Sequence, residues 1–119
     1  QLTQWWVNYQ KQGEFNPLHN HSGIYSFVIW LKIPTHWKEQ QKLPIANGTN
    51  SNAISNFSIN FTDILGGSAE YVYRMCPELE GTMLFFPANL DHMVYPFYNC
   101  NEDRVSVSGN IEINTAKRM

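Results

Sequence analysis

Stretches rich in β-branched and aromatic residues recur along the whole chain, near Trp5–Tyr9, Glu14–His21, Tyr25–Ile33, Ala53–Phe61, Ala69–Met75, Thr82–Phe86, His92–Phe97 and Arg104–Ile113. Turn chemistry separates them: Gln12-Gly13, Ser22-Gly23, Gly66-Gly67, Glu80-Gly81 and the cluster from Asn99 to Asp103. Ser58-Ile59-Asn60-Phe61 and Val105-Ser106-Val107-Ser108 alternate polar and apolar residues, as antiparallel strands with one wet face do. Helical spacing of apolar residues is confined to short stretches. The pattern predicts an all-β protein of about eight strands in two packed sheets, with few short helices. Thr35–Ser55 interrupts it with Lys38–Lys42, Pro44 and an Asn-rich run from Asn47 to Asn52, and reads as a long mobile loop.

A length of 119 residues is that of one domain, so residues 1–119 are expected to form a single unit. A hydrophobic content of 43% against 15% charged residues excludes a disordered chain. The net charge of −2 gives no footprint for nucleic acid or an anionic membrane, both of which call for clustered Lys and Arg. The longest apolar run, near Ile24 to Pro34, is far shorter than the roughly 20 residues that span a bilayer, so a soluble protein is expected. Gln1–Trp5 shows neither a basic leader nor a cleavage site, which leads us to expect a cytoplasmic protein. Cys76 and Cys100 are too few for a disulfide scaffold and read as reduced, partly buried thiols. The N-x-Ser/Thr sequences at Asn47, Asn56 and Asn60 reflect Asn-rich composition rather than glycosylation.

Candidate chemistry lies in the histidines. On a strand, His19 and His21 share a face, and two imidazoles so placed make half a metal site. His92 follows an apolar strand that ends in Pro87 and a turn, where a third imidazole can face the same interior. Three imidazoles suit Fe(II), Zn, Cu or Ni. Spacing alone weighs this site about equally against exposed loop histidines. His36 has no paired donor at useful spacing and reads as a surface residue. Arg104 and Ser106 share one strand face and could clamp an anion through the guanidinium fork and a hydroxyl. Taken by itself, an Arg facing solvent or Asp103 is the better reading of Arg104.

The order of these motifs narrows the choice. The segment from Tyr9 through Gly13 to His19-Asn20-His21, followed by the hydrophobic run Ser26–Pro34, resembles the front half of the iron(II)/2-oxoglutarate-dependent oxygenases. Gly81–Phe97 with His92, and then Arg104-Val105-Ser106, is similar to their distal His and 2-oxoglutarate-binding Arg-x-Ser. The resemblance runs from Tyr9 to Asn110 and is closest to small oxygenases of bacteria and phages with His-x-His.

It implies a double-stranded β-helix, the cupin-like jelly roll, with a metal in its open mouth and the loop Thr35–Ser55 over that mouth. Fe(II) would be held by His19 and His92, with His21 where the superfamily usually has Asp or Glu. Arg104 and Ser106 would hold the far carboxylate of 2-oxoglutarate, with Tyr9 as an auxiliary hydrogen bond. No catalytic side chain is implied beyond the metal centre. The implied reaction consumes O2, decarboxylates 2-oxoglutarate to succinate and hydroxylates a small-molecule or peptide substrate. A His in place of the carboxylate raises the site charge by one. That keeps two other readings open: a three-His metal protein or dioxygenase that does not use 2-oxoglutarate, and a non-catalytic structural jelly-roll module. Asp91 is expected to support His92 rather than to ligate, and Trp30 to pack the core. Phe27, Ile29, Phe85 and Tyr95 are candidates for pocket or core walls. A homodimer is a candidate assembly.

Overall fold

In a computed structural model describing residues 1–113, the alternating segments pair as antiparallel strands: β1 (Leu2–Gln10), β2 (Asn16–His19), β3 (Tyr25–Lys32), β4 (Phe57–Thr62), β5 (Ser68–Tyr73), β6 (Met83–Pro87), β7 (Asp91–Val94) and β8 (Arg104–Ile111). One sheet has the order β1-β8-β3-β6 and the other β2-β7-β4-β5. Apart from the β4–β5 hairpin, each strand is followed by one in the opposite sheet, which is the winding of a jelly roll. Apolar positions cannot be satisfied by one sheet alone, so the two sheets face each other across their inner residues. In β3, Ser26, Val28 and Trp30 are buried, and Phe86, opposite Ser26 in β6, is buried with them. Ile33, Phe57, Ile59 and Met75 complete the core, with Trp30 edge-on to Phe57 at 5.5 Å between ring centroids. Trp30 is therefore a core residue and Phe27 lines the cavity described below, whereas Ile29 and Phe85 occupy the alternate positions of their strands and leave the inward places to Val28 and Phe86.

Strand ends are set by backbone chemistry. β7 stops at Val94 because Pro96 has no N–H to give a ladder. The predicted strand from Ala53 begins only at Phe57, since Ala53–Asn56 closes a turn with Ser55 at φ 65°. Cys76 and Cys100 are both free and half-buried.

Thr35–Ser55 differs from its reading as a mobile loop over the mouth. It carries the short helix α1 (Trp37–Gln41) and a 3-10 turn at Pro44–Ala46. Gln40 is buried and grips the Tyr98 backbone twice: its amide donates to the Tyr98 carbonyl at 2.8 Å, and its carbonyl accepts from the Tyr98 N–H at 2.8 Å. This anchor draws the segment onto the loop before β8, and no residue from 35 to 55 lines the cavity described below.

Gly109 marks a tight contact in β8. A Cβ there would stand 2.5 Å from the Phe27 ring and 2.8 Å from the Gln4 carbonyl oxygen, and the latter belongs to backbone that cannot turn aside. Gly109→Ala is expected to destabilise the protein by about 1–3 kcal/mol. A lowered denaturant midpoint would show it; an unchanged midpoint would mean that β1 and Phe27 yield freely.

Candidate metal centre

The jelly roll brings three imidazoles to one point. His19 ends β2 and pairs directly with His92 in β7, while His21 lies just past the strand, fixed by its N–H donating to the Ala88 carbonyl at 2.8 Å. Ring centroids are 4.2 Å apart for His19–His92, 5.0 Å for His19–His21 and 5.0 Å for His21–His92. One nitrogen from each falls within 4.8 Å of the others, and His21 Nε2 stands 3.2 Å from His92 Nε2. That spacing is close to the edge of an octahedron with metal–nitrogen bonds of about 2.1 Å, roughly 3 Å.

The outward nitrogens are held by the backbone. His19 Nδ1 is 2.6 Å from the Pro17 carbonyl and His92 Nδ1 is 3.0 Å from the Leu90 carbonyl. A carbonyl only accepts, so each Nδ1 carries the proton and each Nε2 presents a lone pair to the shared point. Asp91 turns away from that point and accepts a hydrogen bond from Asn20 at 2.9 Å. Asn20 lies between His19 and His21, and Asp91 precedes His92, so this bond ties the two ligand-bearing segments together. Asn20→Ala should weaken metal binding by about 10-fold, the lower end of what loss of an orienting partner costs. Competition with a chelator would measure it, and unchanged affinity would mean that the ladder alone sets the geometry.

His92 is 4% exposed, packed between Phe57 and Phe86 at 5.7 and 5.0 Å between ring centroids. Burial drives its pKa from 6.5 down to about 4, against the Leu90 carbonyl bond, with His19 and His21 adding to the fall. His21 is lowered too, by burial and then by His19. His92 is thus neutral and able to ligate at neutral pH. Between pH 6.5 and about 4 the unfolded chain takes up a proton that the folded chain refuses. Metal-free protein should therefore lose stability as pH falls through that window. Thermal unfolding at several pH values checks this, and His92→Gln should flatten the slope.

Arg104 and Ser106 line the same cavity as the histidines, a space of about 340 Å³. Arg104 is 2% exposed and does not meet solvent or Asp103, which pairs with Lys11 at 3.3 Å. One terminal nitrogen donates to the Ser55 carbonyl at 2.6 Å, another to Gln10 Oε1 at 3.4 Å, and Nε has no partner. No carboxylate pairs with it among the described residues. Burial lowers its pKa to about 10, so it remains a cation at neutral pH. A buried, unpaired charge is costly unless an anion completes it.

Register fixes the rest of the cavity's polar face. Gln10 pairs with Arg104, Asn8 with Ser106 and Trp6 with Ser108, so these side chains share the inner face. Asn8 donates to Ser106 Oγ at 3.4 Å and Ser108 Oγ at 3.3 Å. Tyr9 pairs with Val105 on the alternate face, is 66% exposed and contributes only at the cavity's rim. The inward hydrogen bond at this end of β1 comes from Gln10. Motif spacing missed Trp6, Asn8 and Gln10; their shared i, i+2 parity, with polar Asn8 and Gln10 on the face opposite Val7 and Tyr9, was the signal for them. His36 is half-buried and caps α1, accepting from the Lys38 N–H at 3.1 Å.

Three converging imidazoles fit a divalent transition metal, and the guanidinium without a carboxylate in the same cavity fits an anion. A family model described as putative 2OG-Fe(II) oxygenase matches residues 4–110. No curated protein and no solved structure matches the chain.

Proposed function

The chain belongs to this 2OG-Fe(II) oxygenase family, and from that membership we propose that it is an Fe(II)- and 2-oxoglutarate-dependent dioxygenase. In this reading His19, His21 and His92 hold Fe(II) through Nε2, and Arg104 with Ser106 holds the far carboxylate of 2-oxoglutarate. The observation that carries it is the buried Arg104 guanidinium, without a carboxylate, facing the cavity into which the three imidazoles converge. Fe(II) with 2-oxoglutarate and O2 supplies the oxidising chemistry: substrate, 2-oxoglutarate and O2 become hydroxylated substrate, succinate and CO2.

The chain's own share is placement. His19, His21 and His92 would hold the metal with three ligands and would leave coordination positions for 2-oxoglutarate and O2. Arg104 sets the distance and direction from which a dicarboxylate reaches those positions, and Asn8 steadies the Ser106 hydroxyl that assists it. Trp30, Phe57 and Phe86 wall the inner end and exclude water from it. Phe15 and Asn16 line the same cavity from the β1–β2 side, where a small molecule or peptide would meet the protein.

Succinate formation from 2-oxoglutarate by the iron-loaded protein tests this reading, even without the substrate. Iron-dependent and O2-dependent succinate is expected, and Arg104→Met should abolish it. One observation favours a second reading: the ligand set lacks a carboxylate, since Asp91 is tied to Asn20. A three-His metal protein or dioxygenase that ignores 2-oxoglutarate would bind iron and form no succinate.

A further inference from the structure

Away from the cavity, His36, Cys76 and Glu78 bring an imidazole nitrogen, a thiol sulfur and a carboxylate oxygen within 4.8 Å of one another. None of the three lines the cavity, and nothing in the proposed oxygenase chemistry uses them. Two connectors supply them. His36 lies just before α1, on the crossover from β3 to β4; Cys76 and Glu78 flank the start of a 3-10 turn at Pro77–Leu79, between β5 and β6.

The backbone holds these connectors in place. The Trp37 N–H donates to the Met75 carbonyl at 2.9 Å, and the Met75 N–H donates to Asn56 Oδ1 at 2.8 Å in the interior. Met75 itself is fully buried, so the residue before Cys76 and the residue after His36 are both pinned. The nearby cations are occupied elsewhere: Arg74 lies 4.7 Å and Lys38 5.5 Å from the centre of the Trp37 ring.

We propose that His36, Cys76 and Glu78 form a second metal site, selective for a zinc-like divalent cation. Ligand atoms around tetrahedral zinc stand about 3.3–3.8 Å apart, a contraction of roughly 1.5 Å at most from the present cluster, within reach of rotamer changes. One thiolate, one imidazole and one carboxylate make a donor set that zinc accepts, with water in the fourth position. On binding, the Cys76 thiol releases its proton to solvent, and the resulting thiolate with the Glu78 carboxylate balances the two positive charges of the ion. His36 Nδ1 now accepts from the Lys38 N–H at 3.1 Å. That bond is given up whichever ring nitrogen ligates: Nδ1 would turn its lone pair to the metal, and ligation through Nε2 requires the proton on Nδ1. The site would add a metal cross-link to the Trp37–Met75 backbone bond that already joins the β3–β4 crossover to the β5–β6 connector.

Cobalt(II) in place of zinc separates this site from the histidine cavity, because only a thiolate ligand gives the near-ultraviolet charge-transfer band. Metal-free full chain, kept reduced without added thiols, should bind two equivalents of Co(II), one of them carrying that band, and excess Zn(II) should bleach it. Cys76→Ser should remove the band and one equivalent and keep the other. Glu78→Gln, a change at an exposed position that does not threaten folding, should weaken the banded equivalent by about 10-fold or more. His19→Ala should leave the band intact, so failure of the oxygenase reading and failure of this one are distinguishable. Absence of the band, or a band that survives Cys76→Ser and disappears with Cys100→Ser, overturns the proposal.

Discussion

Arg104→Met is expected to lower 2-oxoglutarate affinity roughly 30- to 1000-fold while leaving metal binding in place. The size follows from what it costs to remove one partner of a buried charge pair, about 2–4 kcal/mol. Arg104 is suited to that role because burial has removed its alternatives: it meets neither solvent nor a carboxylate, and its Nε has no partner. Folding stability should change far less. The substitution leaves the Ser55 carbonyl without its 2.6 Å donor, which costs about 1–3 kcal/mol, and also removes a buried cation that has no carboxylate and only the Phe97 ring, at 5.0 Å, against its charge, which offsets part of that loss. Calorimetric titration with 2-oxoglutarate, beside a denaturation curve of the same variant, checks both halves. Unchanged affinity would mean that the guanidinium faces the cavity without serving a dicarboxylate.

His92→Ala is expected to have the larger effect on the metal. Losing an orienting partner costs about 10–100-fold in affinity, and losing a ligand from a set of three exceeds that. Asp91, the carboxylate beside His92 in the chain, is no replacement, because it is held by Asn20 at 2.9 Å. The imidazole also fills space between Phe57 and Phe86, so the variant should lose about 1–3 kcal/mol of stability even without metal. His21→Ala should weaken the metal with a smaller loss of stability, since His21 lies past the end of β2 and is only half-buried. Metal content after dialysis, with unfolding curves of the metal-free forms, separates loss of a ligand from loss of packing.

The strands were legible because alternation is a local property: Ser26-Phe27-Val28-Ile29-Trp30 carries its own inner and outer face, and the structure buries Ser26, Val28 and Trp30. The histidine pair was legible from its spacing, His19-Asn20-His21, although only His19 lies on β2 and His21 is placed by its bond to the Ala88 carbonyl rather than by strand alternation. What the sequence hid was phase and partnership across distance. Whether Tyr9 or Gln10 faces inward depends on the pairing of Gln10 with Arg104, and nothing within β1 fixes that register. Arg104 finds its main acceptor in the Ser55 carbonyl, in a turn far away in the chain. Thr35–Ser55 misled for a related reason: its polar composition is that of a loop, yet Gln40 alone, through two bonds to the Tyr98 backbone, is enough to dock it. Buried polar anchors of this kind leave no periodic trace.

Anaerobic titration of the metal-free protein with Fe(II) and then 2-oxoglutarate, following the metal-to-ligand charge-transfer absorption, tests the central claim most directly. The account predicts a band that needs both components, weakened in His21→Ala and lost in Arg104→Met. Iron binding without the band would contradict it, leaving a three-His metal site on a jelly roll with no place for 2-oxoglutarate.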